Sequence, residues 1–252
     1  MRFAVDGPVA RVTLDRPEVR NAQTPAMWRA LARIGAQLSD DVQVIVLEAA
    51  GQSFSAGLDR RMVEPDGIPG EPSVADMAAM DDNRLDAVIA GFQSAFTWWR
   101  ESPAMSIAAV QGHAVGAGFQ LALACDLVVC ADDARFAMRE TSLGLVPDLG
   151  GTEALVAAVG YPRALEICAT GRWVGAAEAV RLGLATASVP GDDLADAVND
   201  LVSALLSAPP DAAAETKWLL AHALTTDRAG QLAAERVAQA RRLRALAGRG
   251  AT

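Results

Sequence analysis

Two histidines and three cysteines are all the imidazole and thiol ligands that 252 residues offer a transition metal, and they do not cluster. Cys125, Cys130 and Cys168 form no Cys-x-x-Cys pair and lie in apolar stretches. That pattern fits buried thiols in a reducing compartment and leaves neither a zinc site nor a disulfide framework. Positive charge is short as well: 22 Lys and Arg face 31 Asp and Glu, a net charge of −9. Such a surface repels phosphate backbones, so nucleic acid is not an expected partner. An anionic small molecule can still be held by a few local Arg residues and by helix N-termini. No apolar run approaches membrane-spanning length, and Asp6 comes too early for a signal peptide. The expectation is a soluble, cytoplasmic protein with no metal and no membrane partner. Apolar residues at 52% and charged residues at 21% predict an ordinary buried core.

The chain reads as α/β in its first part and helical in its last. "RFAVDGPVARVTLDRP" predicts two short strands joined at Asp6-Gly7-Pro8. Thr24-Pro25 is a helix start, followed by Met27, Leu31, Ile34 and Leu38 at helical spacing. "VQVIVLEA", "SIAAVQG" and "DLVVCA" predict buried strands with parallel pairing, and a helix lies between the last two. The Pro- and Gly-rich stretch from Glu64 to Ser73 predicts a mobile loop. From Gly191 the pattern is helical, broken at Pro209-Pro210. The final segment places Leu232, Val237, Leu243 and Leu246 among five Arg, a stripe that suits intrachain core or a neighbouring subunit.

Two further absences narrow the chemistry. Gly51-Gln52-Ser53-Phe54-Ser55 lacks the second Gly of a G-x-S-x-G nucleophile turn, which argues against a Ser-His-Asp hydrolase. Leu121 stands where a dinucleotide-binding G-x-G-x-x-G would need Gly, which argues against a Rossmann phosphate loop. What is present is one device used twice. "QSFSAGLDRRM" and "VQGHAVGAGFQL" each run from a strand through a small-residue turn into a helix start. Close-packing glycines are one account of such turns. Their occurrence twice in one chain points to two backbone N–H groups aimed at one oxygen.

Five stretches in order carry a resemblance over nearly the whole chain: "LDRPEVRNAQT", "FSAGLD", "IAAVQGHAVGAGFQLALACDLVVCADDARF", "LGLVPDLGGT" and "TGRWVGAAEAVRLGLA". The sequence resembles the crotonase superfamily, the enoyl-CoA hydratase/isomerase family. The resemblance implies a spiral of β-β-α units over residues 1–190. It also implies a C-terminal helical region, 191–252, that builds trimers, often paired into hexamers. It implies an acyl-CoA thioester as substrate, coenzyme A being part of that substrate, with no separate cofactor. It places the two oxyanion N–H groups on Leu58 and Ala117, and an enolate-like state on the thioester oxygen between them. Ala56, Gly57 and Gly116 fall in these turns, where little side-chain bulk should obstruct the thioester. Arg20, Arg60 and Arg61 are candidate phosphate contacts or simply solvated surface.

The acid-base groups depart from the hydratase pattern. Hydratases that the sequence resembles use two glutamates; Glu140 matches the second, whereas Gln120 stands at the first. An amide orients water but cannot take its proton. Asp148 replaces a glycine common in hydratases, at a position that holds the catalytic carboxylate in relatives that isomerise double bonds or dehalogenate aromatic thioesters. Asp148 either caps the helix beginning near Leu149-Gly150-Gly151 or faces the thioester with Glu140. In the second arrangement the two carboxyls move a proton between carbons, and burial raises at least one pKa. The expected activity is therefore enoyl-CoA isomerisation. The alternatives are weak hydration through Glu140 alone and an acyl-CoA binder that has lost its chemistry. His113, Trp98, Trp99 and Asp126 read as structural.

Overall fold

Gly7, at φ +54°, turns the chain between β1 (Arg2–Asp6) and β2 (Val9–Leu14), an antiparallel pair. The computed structural model describes residues 1–64 and 66–249. Pro65, in the expected mobile loop, and residues 250–252 of the C-terminal region lie outside the described residues. Thr24 caps α1 (Pro25–Ala36) by accepting the Met27 N–H, and Pro25 sits where the missing donor costs nothing. Met27 and Leu31 are buried, and Ile34 and Leu38 pack against the same core.

The next elements are β3 (Val44–Ala49), α2 (Val74–Ala78), α3 (Asp82–Glu101), β4 (Met105–Val110), β5 (His113–Val115) and α4 (Ala117–Ala124). Then come β6 (Leu127–Ala131), β7 (Arg135–Ala137), α5 (Gly151–Val159), α6 (Tyr161–Thr170), β8 (Val174–Gly175), α7 (Ala176–Leu182) and β9 (Ala187–Val189). The large sheet runs β1-β2-β3-β4-β6-β9 and is parallel from β2 onward. A smaller sheet runs β5-β7-β8, and Ser55 joins β5 by an isolated parallel bridge to Ala114. Successive passes pair a strand of the large sheet with a short segment at the small one: β3 with the Ser55 bridge, β4 with β5, and β6 with β7. That alternation is the β-β-α spiral that the family resemblance implied.

Alternate residues of the strands serve two cores. Ile45, Leu47, Ala108 and Val110 face α1, α3 and α4 in the main core. Val44, Val46, Ile107 and Val129 face the other way, onto Leu194, Val198 and Val202 of α8 (Leu194–Leu206). The helical region beginning at Gly191 therefore includes a helix that covers the sheet. Beyond it lie α9 (Pro210–His222) and α10 (Arg228–Arg249), separated from α8 by the Pro209-Pro210 break. No residue of α9 is fully buried. Its tie to the body is Lys217, whose ammonium donates to the carbonyls of Trp99 at 3.0 Å and Ala104 at 2.7 Å and to Asp126 Oδ2 at 2.8 Å.

The loop after Glu64 is held at its far end, where Glu71 takes a two-pronged contact from Arg29 of α1 at 2.9 and 2.5 Å. Trp99 is fully buried, with Trp98 stacked on it at 4.0 Å between centroids. Cys125 and Cys130 are buried, Cys168 is half-buried, and all three thiols are free. Among the described residues no helix is long and apolar enough to cross a membrane.

Candidate active site

The first small-residue turn is built by amides and a hydroxyl. Asn21, fully buried and left-handed at φ +53°, donates through Nδ2 to the carbonyls of Ala50 and Ser53, both at 2.9 Å. Its Oδ1 accepts the Arg16 N–H at 2.8 Å. Ser55 donates its hydroxyl proton to the Asn21 carbonyl and accepts the Gly57 N–H at 3.2 Å. Gln23 donates to the same hydroxyl and accepts the Trp28 indole N–H. These three buried side chains shape "FSAGLD", which explains Ser55 without any nucleophilic role.

The Gln23–Leu58 bridge uses the Gln23 N–H on the Gly57 carbonyl and the Asp59 N–H on the Gln23 carbonyl. Alternation along an extended segment then turns the Leu58 N–H away from Gln23.

The second turn lies directly against the first. Ser55 N–H donates to the His113 carbonyl at 2.8 Å, and Val115 N–H donates to the Ser55 carbonyl at 3.0 Å. Gly116 adopts φ +52°, ψ −119°, a conformation that disfavours any side chain, and its N–H donates to the Ala137 carbonyl. α4 starts at Ala117, whose N–H is one of the donors a helix start leaves without an intrahelical acceptor. The close approach is enforced by missing Cβ atoms. A Cβ on Gly57 would sit 2.5 Å from the Val115 carbonyl oxygen, and one on Gly118 would sit 2.7 Å from the Ser55 Cβ. Gly57→Ala is therefore expected to cost about 1–3 kcal/mol of stability for the φ +86° strain alone, read as a lower Tm, and more from the clash with Val115. An unchanged Tm would contradict both the strain at Gly57 and the contact between the two turns.

Glu140 enters just after β7, at the start of a 3₁₀ turn, with only 9% exposure. It lies beside Gly116, where a Cβ would come within 3.3 Å of Oε1. That oxygen accepts the Gln120 amide at 2.6 Å, whereas Oε2 is buried without a hydrogen-bond partner among the described residues. Burial pushes the Glu140 carboxyl up from the usual carboxylate range, the nearby Asp148 charge adds to the rise, and the Gln120 hydrogen bond opposes it. The half-buried Asp148 carboxyl is likewise raised by burial.

The helix-cap account of Asp148 does not hold. The N-cap of α5 is Gly150, and no side chain of its own segment caps it. Instead the Gln120 Oε1 accepts the N–H groups of Leu149 at 2.9 Å and Gly151 at 3.3 Å. The Asp148 carbonyl is held by Gln93 of α3 at 2.7 Å, which leaves its carboxyl free of capping duty.

The arginines divide. Arg20, left-handed at φ +51° and exposed, meets the first turn through its carbonyl, which accepts the Ala56 N–H at 2.8 Å. Arg61 is not a free cation: it folds back onto Asp59 with contacts of 3.0 and 2.8 Å. Together with Arg16 it holds the Asp59 carboxyl down at about 2. Arg60 is exposed. His113 packs edge-on to Trp173 at 5.4 Å, with Ser53 Oγ 3.5 Å from Nδ1, as a packing residue. Among the described residues no three His, Cys, Asp or Glu side chains group as metal ligands would. The sequence missed Asn21, Gln23 and the capping by Gln120, although "RNAQT" contained two of the three.

A family model described as enoyl-CoA hydratase/isomerase matches residues 5–244. A solved structure from Thermobifida fusca YX, provisionally named an enoyl-CoA hydratase and holding CoA, is 47% identical. It superposes with a TM-score of 0.92 and covers 98% of this chain and 94% of that one. A second structure with the same naming, holding acetoacetyl-CoA, is 48% identical with a TM-score of 0.92, covering 96% of this chain and 93% of that one. A relative from Rhodobacter capsulatus, also provisionally named an enoyl-CoA hydratase, is 32% identical over 235 residues, 93% of this chain and 86% of its own.

Proposed function

From the premise that this chain belongs to the enoyl-CoA hydratase/isomerase family, we propose that it shifts the double bond of an enoyl-CoA thioester by a carboxylate proton shuttle. The observation that carries this reading is the state of Gln120. Both lone pairs of its carbonyl are taken by the Leu149 and Gly151 N–H groups, and an amide nitrogen is no base. Glu140 and Asp148 are then the groups left to move protons. The Leu58 and Ala117 N–H groups hold the thioester oxygen, each such donor being worth about 3–4 kcal/mol in the transition state.

In the 3-enoyl to 2-enoyl direction one carboxylate breaks the C2–H bond and takes the proton. Charge spreads onto the thioester oxygen between the two N–H groups. A carboxylic acid then protonates C4, leaving the conjugated 2-enoyl thioester and one carboxylate, as at the start. Because both carboxyls are raised by burial and their charges interact, one as acid and one as base is the favoured pairing.

The structures with CoA and acetoacetyl-CoA support the substrate class. CoA is read as part of that substrate. Ala56, Gly57, Gly116 and the Arg20 segment border the thioester. Exposed Trp218, Leu220, Leu232 and Leu246 on α9 and α10 support a homotrimer or hexamer built through the 191–252 region on a 1–190 core. Three free thiols fit a cytoplasmic setting.

The second reading, hydration by Glu140 alone, is favoured by the hydratase names of the relatives. Asp148→Asn separates the two. Isomerisation of 3-enoyl-CoA, followed by absorbance of the conjugated product, is expected to fall about 10²–10⁴-fold. Full activity in Asp148→Asn would remove Asp148 from the shuttle and return the weight to Glu140.

A further inference from the structure

Gln120 is 1% exposed and touches both carboxyl-bearing segments at once. We propose that Gln120 is a positioning residue whose single amide clamps the start of α5, and Asp148 with it, to one oxygen of Glu140, so that Oε2 is the oxygen presented to substrate. The proposal deepens the isomerase reading and rests on it for the identity of the reaction. The clamp itself is a matter of geometry.

Three features make it specific to an amide of this length. The Oε1 atom accepts two backbone N–H groups, which fixes the orientation of the amide: a flipped group would face two donors with its own NH₂. With the oxygen so placed, Nε2 donates to Glu140 Oε1 at 2.6 Å. A carboxylate at 120 would keep the contacts to α5 and lose the donor; a thioether would lose both. The N–H groups of the α5 start also polarise the amide, which strengthens its donation to Glu140 in this dry setting.

The surroundings are cut to fit. A Cβ on Gly151 would lie 2.6 Å from Gln120 Cγ and 3.0 Å from Oε1. The Glu140 Oε2 is left buried beside Gly116 with no partner among the described residues, which is a cost unless a ligand completes it. Gln120 therefore acts through Glu140 and Asp148 and exchanges no proton itself.

The test reads the clamp with and without turnover. In ¹⁵N-labelled protein the Gln120 side-chain amide is expected to give two widely separated proton resonances, the downfield one moving upfield in Glu140→Gln. Resonances at free-amide positions, unmoved by Glu140→Gln, overturn the clamp whether or not the protein isomerises anything. In the pH profile of kcat for 3-enoyl-CoA, the limb set by Glu140 is expected to move to higher pH in Gln120→Met, because the hydrogen bond that opposes burial is gone. Gly151→Ala, which displaces Gln120 without altering it, is expected to move the same limb the same way. Both should lower kcat about 10²-fold with KM little changed. A limb that stays at its wild-type pH in both variants, whatever the rate loss, reduces Gln120 to a packing residue and overturns the proposal. Wild-type protein that shifts no double bond counts against the isomerase reading alone, since the amide resonances still judge the clamp. Should Gln120→Met fail to fold, Gly151→Ala and the resonances decide.

Discussion

Glu140→Gln is expected to cut turnover about 10²–10⁴-fold and at the same time to raise the Tm at neutral pH. The two effects have one cause. Glu140 is buried, one of its oxygens has no hydrogen-bond partner among the described residues, and its pKa in the fold lies above the usual carboxylate value. A carboxyl whose folded pKa is raised binds its proton more tightly in the folded state than in the unfolded one. Stability then falls as pH rises from the unfolded value, about 4.3, through the folded one, and the full penalty is present above both. Glutamine keeps the shape and carries no charge, so the penalty disappears. The gain in Tm should be present at neutral pH and should vanish below the unfolded value. CoA-thioester affinity should be retained, because the proposed backbone donors, Leu58 and Ala117, are untouched. Scanning calorimetry of both proteins across the acid range checks the first effect and a coupled thioester assay the second. A Tm that drops in Glu140→Gln at neutral pH would mean that Glu140 is held as a structural anion.

Lys217→Met is expected to cost about 1.5–3 kcal/mol, the range for hydrogen bonds to a charged group, since Lys217 and Asp126 both keep some exposure. The three protons of the ammonium are spent on the Trp99 and Ala104 carbonyls and on Asp126. The same Asp126 oxygen takes the N–H and hydroxyl of Ser106, at 2.7 and 2.8 Å, so the Lys217–Asp126 pair ties α9 to α3, to β4 and to the start of β6. Methionine fills the stem volume but leaves that carboxylate short of its counter-charge. No residue of α9 is fully buried, and its ion pairs from Glu215 run to Arg241 and Arg242 of α10, not to the sheet. The loss should therefore concentrate in α9 and α10. Hydrogen exchange is the measurement that locates it. Protection should fall over residues 210–249 while the β2–β6 strands keep theirs, whereas an even loss across the chain would show that α9 is no separate unit.

What was legible in the sequence was whatever depends on neighbours along the chain. Thr24-Pro25 announces α1 through its own hydroxyl and ring, and Asp6-Gly7-Pro8 announces its turn in the same way. The β-branched strands and the two small-residue turns were visible because composition and local spacing encode them. The positions of Glu140 and Asp148 followed from the family resemblance. Hidden features were those decided by partners far along the chain. The Gln120 oxygen meets N–H groups 29 and 31 residues away, so its exchange of acid-base chemistry for capping leaves no local trace. Asn21 serves carbonyls about thirty residues ahead. Leu194, Val198 and Val202 show a helical face in the sequence, but nothing there says that the sheet covers it. Arg61 differs from these, because its partner Asp59 stands only two residues before it in the sequence.

The most direct measurement is incubation with matched 2-enoyl-CoA and 3-enoyl-CoA thioesters in D₂O, with products read by mass spectrometry and NMR. A shifted double bond with deuterium at the α or γ carbon, and no added mass of water, is the predicted result. Rapid formation of 3-hydroxyacyl-CoA would contradict it and would make Glu140 a residue that handles water without a partner.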